Sequence, residues 1–290
     1  MGNDLSMGAA WMNGKVLPIS QAMIPVNDWG LVHSDITYDV VPVIDGAFFR
    51  FDEYLARFLS SMENLHLDPG MSKQDIQAAL HQMVSKSSLR DSYVAMVCSR
   101  GKPKIAGSRD PRDCKNHFFA WCVPYVHIIK PEVVEQGATA WIAQNVYRIP
   151  DSSVNPRVKN YHWGDFTQGI FEAKDNNYET VILLDYDGNV TEGPGFNVFA
   201  VKDKVLITPD KGVLAGVSRK TVLEMADYLG INTSVRSLSL KELLEADEVF
   251  LSSSGGGVIP IIRVNETIFG NGASGPISVQ LNETYWKWTT

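Results

Sequence analysis

The strongest constraint on this chain is a change of apolar period early in the sequence. Leu55, Phe58, Leu59, Met62 and Leu65 recur at helical spacing between Glu53 and His66, and Pro69-Gly70 stops the chain beyond them. The stretches around that helix read as strands instead. Ala9–Met12 and Lys15–Leu17 flank Asn13-Gly14, a strong type I′ hairpin signal. Asp39–Ile44 and Ala47–Phe51 flank Asp45-Gly46 in the same way. Helices and strands must therefore share a core, which makes the class α+β. A second helix opens at Ser72 with Ile76, Leu80, Met83 and Val84 inward, followed by strands at Ser92–Ser99 and His117–Tyr125. The polar stretch Arg100–Asn116, with Gly101, Pro103, Gly107 and Pro111, reads as a long loop.

The chain has 290 residues, enough for two modest domains. Pro131-Glu-Val-Val-Glu-Gln-Gly137 is the best linker candidate, which gives domains at 1–128 and 138–290 with a linker at 129–137. The second half reads as α+β again. Strands are expected at Ala138–Gln144, Glu179–Asp185, Asn197–Val201, Val205–Thr208, Thr233–Arg236, Glu248–Leu251 and Val258–Val264. Helices are expected at Tyr161–Ala173, after the loop Arg148–Asn160, then at Ser218–Leu229, Leu240–Glu245 and Pro276–Trp288. Gly230 closes the second of these from the C′ position.

Composition removes several function classes. With 44% hydrophobic and 20% charged residues the chain is globular rather than disordered. A formal net charge of -7, with no long Lys/Arg run, argues against a nucleic-acid surface. No apolar stretch approaches membrane-spanning length, and Met1-Gly-Asn-Asp-Leu-Ser lacks the basic start of a signal peptide. Cys98, Cys114 and Cys122 are odd in number and without CxxC spacing, which fits a reducing compartment; Cys98 and Cys122 sit in apolar, core-like runs. A cytoplasmic protein is expected. His33-Ser-Asp35 invites a hydrolase reading, but no Gly-x-Ser-x-Gly elbow is present, and the histidines show no metal spacing.

Four places in the second half carry possible chemistry. Lys159, in Arg157-Val-Lys-Asn-Tyr-His-Trp163, lies at a loop-to-helix boundary among aromatics. An apolar setting favours the neutral amine that attacks a carbonyl. Glu192, in Val190-Thr-Glu-Gly-Pro-Gly-Phe-Asn197, is fixed by a Gly-Pro-Gly turn and can keep a ring nitrogen protonated. Gly212-Val-Leu-Ala-Gly-Val-Ser-Arg219 runs into a helix whose N-terminus suits a phosphate, with Ser218 an N-cap that either touches the phosphate or does not. Leu251-Ser-Ser-Ser-Gly-Gly-Gly257 can fold into an anion-binding nest. Taken singly, each has a plainer reading as a surface lysine, a turn, a cap or a flexible loop. In the first half Arg57 lies off the apolar stripe, where solvation competes with a phosphate contact.

Together and in order, the stretches His33–Asp39, Val158–Asp165, Thr191–Asn197, Gly216–Lys220 and Ser253–Gly256 resemble the fold-type IV pyridoxal-phosphate (PLP) enzymes. These include branched-chain aminotransferases, D-amino-acid transaminases and aminodeoxychorismate lyases. The resemblance covers nearly the whole chain and is greatest to the (R)-selective amine transaminases. It implies two α+β domains with the cofactor in the interdomain cleft, and a homodimer. Lys159 would carry PLP as a Schiff base and Glu192 would pair with the pyridine nitrogen. Arg57, the amides of Val217 and Ser218, and Ser254 would hold the phosphate, with Leu214 against the ring. Ser254 stands where the family places Thr, a change that preserves the hydroxyl.

One position separates the subgroups. D-amino-acid transaminases and the lyases carry a substrate-binding Lys on the strand matching Tyr38–Val43, and branched-chain enzymes place an Arg nearby. Here the Lys position is Pro42, and no Lys or Arg occurs between His33 and Arg50. An α-carboxylate buried there would lack a counter-charge, so plain amines are the expected donors. His33, Tyr38, Val40, Tyr93, Trp163 and Ser253 are the expected substituent contacts. The carboxylate of a keto-acid acceptor such as pyruvate falls to Arg109, with Arg112 as its rival. The expected chemistry is ping-pong transfer of an amino group. Transamination of D-amino or branched-chain amino acids and a PLP lyase remain the alternatives.

Overall fold

The computed structural model describes residues 4–289; the first three residues of the stretch read for a signal peptide lie outside them. The chain forms two compact units, Met1–Val126 with Val158–His162, and His127–Arg157 with Trp163–Thr290. The sequence boundary at residue 128 takes no account of Val158–His162, which leaves the second unit for the first. The expected linker is also ordered: Pro131–Gln136 is a short helix, begun by a proline at its first position and ended at Gly137.

The first unit contains β1 (Ala9–Met12), β2 (Lys15–Pro18), α1 (Trp29–Val32), β3 (Ile36–Ile44), β4 (Ala47–Phe48), α2 (Phe51–Asn64), α3 (Lys73–Ser87), β5 (Ser92–Pro103) and β6 (Cys114–Pro124). Its strands form one six-stranded antiparallel sheet in the order β2-β1-β6-β5-β3-β4. Local chemistry sets the turns. Asn13 and Gly14 both have positive φ, 50° and 79°, as a type I′ turn requires. Ser72 caps α3 in a full capping box with Asp75. The expected loop Arg100–Asn116 is shorter than its polarity suggests, because β5 and β6 continue through a register shift to Pro103 and Cys114. Gly101, at φ 74°, makes the irregularity possible; a Cβ there would lie 2.0 Å from the carbonyl oxygen of Lys115. Leu55, Phe58 and Met62 of α2 are buried as their spacing predicts, and Cys98, Cys114 and Cys122 are buried thiols.

The second unit contains α4 (Pro131–Gln136), β7 (Ala138–Ile142), α5 (Gly164–Asp175), β8 (Thr180–Ile182), β9 (Glu192–Gly193), β10 (Phe196–Lys202), β11 (Val205–Thr208), α6 (Val217–Tyr228), β12 (Thr233–Val235), α7 (Leu240–Leu244), β13 (Glu248–Ser253), β14 (Gly257–Val264), β15 (Thr267–Ile268) and α8 (Pro276–Thr289). Its sheet has nine strands in the order β12-β11-β10-β13-β14-β7-β8, with β9 on β10 and β15 on β14. Alternation divides the central strands. Val198, Ala200, Val249 and Leu251 enter a core with Ile142, Ile182, Ile259 and Ile261. Asn197 and Phe199 face the other way beside Ser252 and Phe250, and the two phenyl rings stack at 4.9 Å. α5 begins at Gly164 rather than Tyr161, because Asn160 instead forms an antiparallel bridge to Thr37. Among the described residues no helix is long and apolar enough to cross a membrane.

Candidate active site

In the first unit the Lys159 segment is built onto β3 and α2. The hydroxyl of Thr37 donates to the Lys159 carbonyl at 2.6 Å, and the Lys159 N–H donates to Ser61 Oγ at 3.3 Å. These bonds hold the backbone and leave the side chain to lie over an aromatic floor. Lys159 Nζ is 4.5 Å from the Tyr38 ring centroid, and that ring stacks on Tyr161 at 4.2 Å. Burial, then the neighbouring Tyr38, pushes the phenols of Tyr93 and Tyr161 above their ordinary value, so both keep their protons at neutral pH.

The opposite face of β3 carries Asp39. It accepts a bidentate pair of bonds from Arg57, 2.7 Å from Nε and 2.6 Å from Nη2. Arg57 is therefore not the solvated side chain that its place off the apolar stripe suggests. Burial lowers its tendency to hold a proton, but the charge and bonds of Asp39 outweigh this and raise the guanidinium's pKa. Tyr38, Val40 and Pro42 lie on the Lys159 side, opposite Val97, Ala95 and Tyr93 of β5. No Lys or Arg is among these six residues.

The other expected contacts of this unit lie at the end of α1 and in the connection between β5 and β6. His33 is exposed at the end of α1, edge-on to Trp29 at 4.6 Å. Arg109 is exposed and makes no ion pair among the described residues, whereas Arg112 is held by the carboxylate of Asp110. The hydrolase reading of His33-Ser-Asp35 finds no triad: Asp35 pairs with Arg100 at 2.8 Å. A different cluster does form. Buried Asp28 accepts from Ser99 Oγ and from Gly30 N–H and lies 2.7 Å from His117 Nε2. The serine hydroxyl donates to the carboxylate instead of to a base, so the cluster anchors α1 and activates no nucleophile.

In the second unit Glu192 is 5% exposed and fully engaged. Oε1 accepts from Arg148 at 3.2 and 3.3 Å, and Oε2 accepts from the Leu214 N–H at 2.8 Å and Asn197 Nδ2 at 3.4 Å. Arg148 also donates to Asp165 at 2.7 Å, with its guanidinium 4.3 Å over the Phe166 ring. Two buried carboxylates thus share one buried arginine, and the trio carries formal surplus negative charge. Sequence reading missed Arg148 and gave Asp165 no role. The available signal was an arginine in the loop before the lysine segment, with an Asp opening the next helix.

The expected phosphate contacts fall at the start of α6 and the end of β13. Gly216, not Ser218, is the N-cap, and it supplies no side-chain cap; Val217 and Ser218 are the first two helical residues, both buried. The Ser218 hydroxyl lies 3.3 Å from Tyr285 Oη. Ser254 is half-buried in the turn after β13. Ser253, expected to contact substrate, braces that turn: its hydroxyl donates to the Gly195 carbonyl at 2.8 Å and accepts the Gly255 N–H at 3.1 Å. Trp163 is the N-cap of α5, half-buried, with its ring edge-on to Phe166 at 5.5 Å.

These features fit PLP in kind. An anionic carboxylate site suits a protonated ring nitrogen, and a helix start without a side-chain cap suits phosphate. A lysine amine on an aromatic floor suits a carbonyl partner. Among the described residues no group of His, Cys, Asp and Glu is arranged to hold a metal ion.

A family model for amino-transferase class IV matches residues 37–264. The chain is 29% identical to a putative branched-chain-amino-acid aminotransferase of Methanocaldococcus jannaschii, covering 95% of this chain and 94% of that protein. It is 28% identical to the D-alanine aminotransferase of Bacillus licheniformis, covering 92% of each. The solved branched-chain amino acid aminotransferase of Thermobaculum terrenum, in its PLP form, shares the fold at a TM-score of 0.85 and 24% identity, over 99% of this chain and 95% of that one.

Proposed function

The chain belongs to the class IV aminotransferases, and from that premise we propose that it is a PLP-dependent transaminase for (R)-configured primary amines, with a keto acid as acceptor. Aminotransferase activity and PLP follow from the family. The amine preference rests on one observation: the Lys159 side of β3 presents Tyr38, Val40 and Pro42 against Tyr93, Ala95 and Val97, with no cation among them. A carboxylate there would lose its hydration without gaining a counter-charge, whereas an alkyl or aryl substituent gains from the same surface.

Lys159 would hold the cofactor covalently, and its amine, when free, would carry the proton at the amine-bearing carbon. Bound PLP supplies the electron sink for that proton's departure. Glu192, backed by Arg148, keeps the ring nitrogen protonated. Arg57, the Val217 and Ser218 amides and Ser254 take the phosphate, and Leu214 packs on the ring. Arg109 is favoured over Arg112 for the acceptor carboxylate because Arg112 is already paired with Asp110. A homodimer and a cytoplasmic location complete the proposal.

A second reading, transamination of D-alanine or branched-chain amino acids, is supported by the names of the two relatives above. Initial rates with (R)- and (S)-1-phenylethylamine, D-alanine and leucine decide between them. The proposal requires the (R)-amine to be fastest and fails if either amino acid exceeds it. Borohydride reduction followed by peptide mapping must place the pyridoxyl group on Lys159. Light scattering must give twice the chain mass.

A further inference from the structure

Glu192 and the start of α6 serve opposite ends of the proposed cofactor, and one side chain joins them. Asn197, 5% exposed on β10, donates through Nδ2 to the Leu214 carbonyl at 3.0 Å and, by a longer bond, to Glu192 Oε2 at 3.4 Å. The Leu214 N–H donates to the same Glu192 oxygen at 2.8 Å. The three residues therefore close a ring of hydrogen bonds around the Leu214 peptide. That carbonyl also accepts the Gly216 N–H at 2.8 Å, two residues on, where α6 takes its N-cap.

The other end of the Asn197 amide is fitted as closely. A Cβ on Gly216 would lie 2.1 Å from Asn197 Oδ1, although the Gly216 backbone, φ -63° and ψ 134°, suits any residue. Glycine is needed there for the room it leaves to Asn197, not for its conformational freedom. On the neighbouring strand Ser252 faces Asn197 in register, yet its buried hydroxyl has no partner. The amide's side-chain bonds among the described residues thus run to Glu192 and Leu214 alone.

We propose that Asn197 is a positioning residue that locks the Glu192 carboxylate to the Leu214–Gly216 approach to α6, so that the ring-nitrogen and phosphate ends of the cofactor site keep one fixed spacing. This rests on the PLP reading above. Both ends must respond when the amide is lost, because the Leu214 peptide is shared between them.

The test uses the full chain and its Asn197→Ala variant. Cofactor-free protein is titrated with PLP and with pyridoxal, which lacks the phosphate, and the visible absorbance of the bound form is followed against pH. For Asn197→Ala the PLP dissociation constant should rise about tenfold and by more than that for pyridoxal, as expected for loss of a buried hydrogen-bond anchor. The absorbance midpoint should also move by roughly half a pH unit or more, because the Glu192 environment has changed. Movement of one readout without the other overturns the proposal, as does a lower melting temperature with neither moved. If the alanine variant does not fold, Asn197→Ser, uncharged and too short to reach both partners, is held to the same two criteria.

A third measurement needs no cofactor. In a double-mutant cycle of Asn197→Ala with Glu192→Gln, the melting shifts should fail to add by roughly 2–4 °C, and additivity overturns the link. A wild-type chain that takes up no PLP refutes the aminotransferase reading instead, and the cofactor-free cycle still decides whether Asn197 and Glu192 act as a unit.

Discussion

Replacing Arg148 by Met should show how much of the second unit's integrity rests on one buried guanidinium. The substitution removes the donors to Asp165 at 2.7 Å and to Glu192 at 3.2 and 3.3 Å. It leaves both carboxylates buried with nothing cationic between them, and keeps an unbranched side chain over Phe166. Breaking a buried ion pair from one side costs about 3–5 kcal/mol, against roughly 1 kcal/mol for a surface pair. For a chain of this size that corresponds to a melting point lower by roughly 10 °C. Differential scanning calorimetry of cofactor-free wild type and variant at neutral pH measures it. Charge and packing then separate through Arg148→Met/Asp165→Asn/Glu192→Gln, which neutralises the trio at nearly constant shape. Recovery of most of the loss is expected. A single variant that melts with the wild type, or a triple variant no better than the single, would refute the view that charge compensation dominates here.

Three further outcomes follow from particular contacts. Gly216→Ala should destabilise the chain and weaken PLP binding, and Asn197→Ala in the same chain should relieve the clash, with melting curves reading the sign of the interaction. Glu172 accepts from Trp141 Nε1 and from the amides of Gln144 and Asn145; burial raises its pKa, but these bonds outweigh burial and hold it below the usual carboxylate value. Its contribution is therefore present above the unfolded value and lost as pH falls through the lower folded one, so Glu172→Gln should melt below wild type at pH 7 and converge with it in acid. Arg109→Ala should raise KM for the keto-acid acceptor with the amine KM unchanged, while Arg112→Ala leaves both alone; the opposite pattern in steady-state kinetics would exchange their roles.

Much of the fold is legible because turns and caps are local. Asn13-Gly14, the Ser72 box and Gly230 declare themselves within a few residues, and each element they bound is present. The Lys159, Glu192 and Gly216 segments also stand out by composition. What is not legible depends on distant pairing. Asp39 converts Arg57 from a surface side chain into a buried one across 18 residues, and Arg148 reaches Glu192 across 44. The polar stretch at 131–137 resembles a linker because the short helix it forms fully buries none of its own side chains. The N-cap of α6 falls away from Ser218 for a different reason: the serine is the better capping residue, but the glycine is where Asn197 needs space.

The excursion of Val158–His162 into the first unit bears on how this chain can be recombined. A chimera joined near residue 127 would take its lysine from one parent and Thr37, Tyr38 and Ser61 from the other. The backbone bonds at 2.6 and 3.3 Å and the ring beneath Nζ would then have to match by chance. A working graft must move 158–162 together with β3 and α2, as an inserted cassette flanked by two junctions. The natural unit of exchange in this protein is therefore discontinuous in sequence, and libraries cut at the apparent domain boundary should seldom keep the backbone bonds and the aromatic floor that seat Lys159.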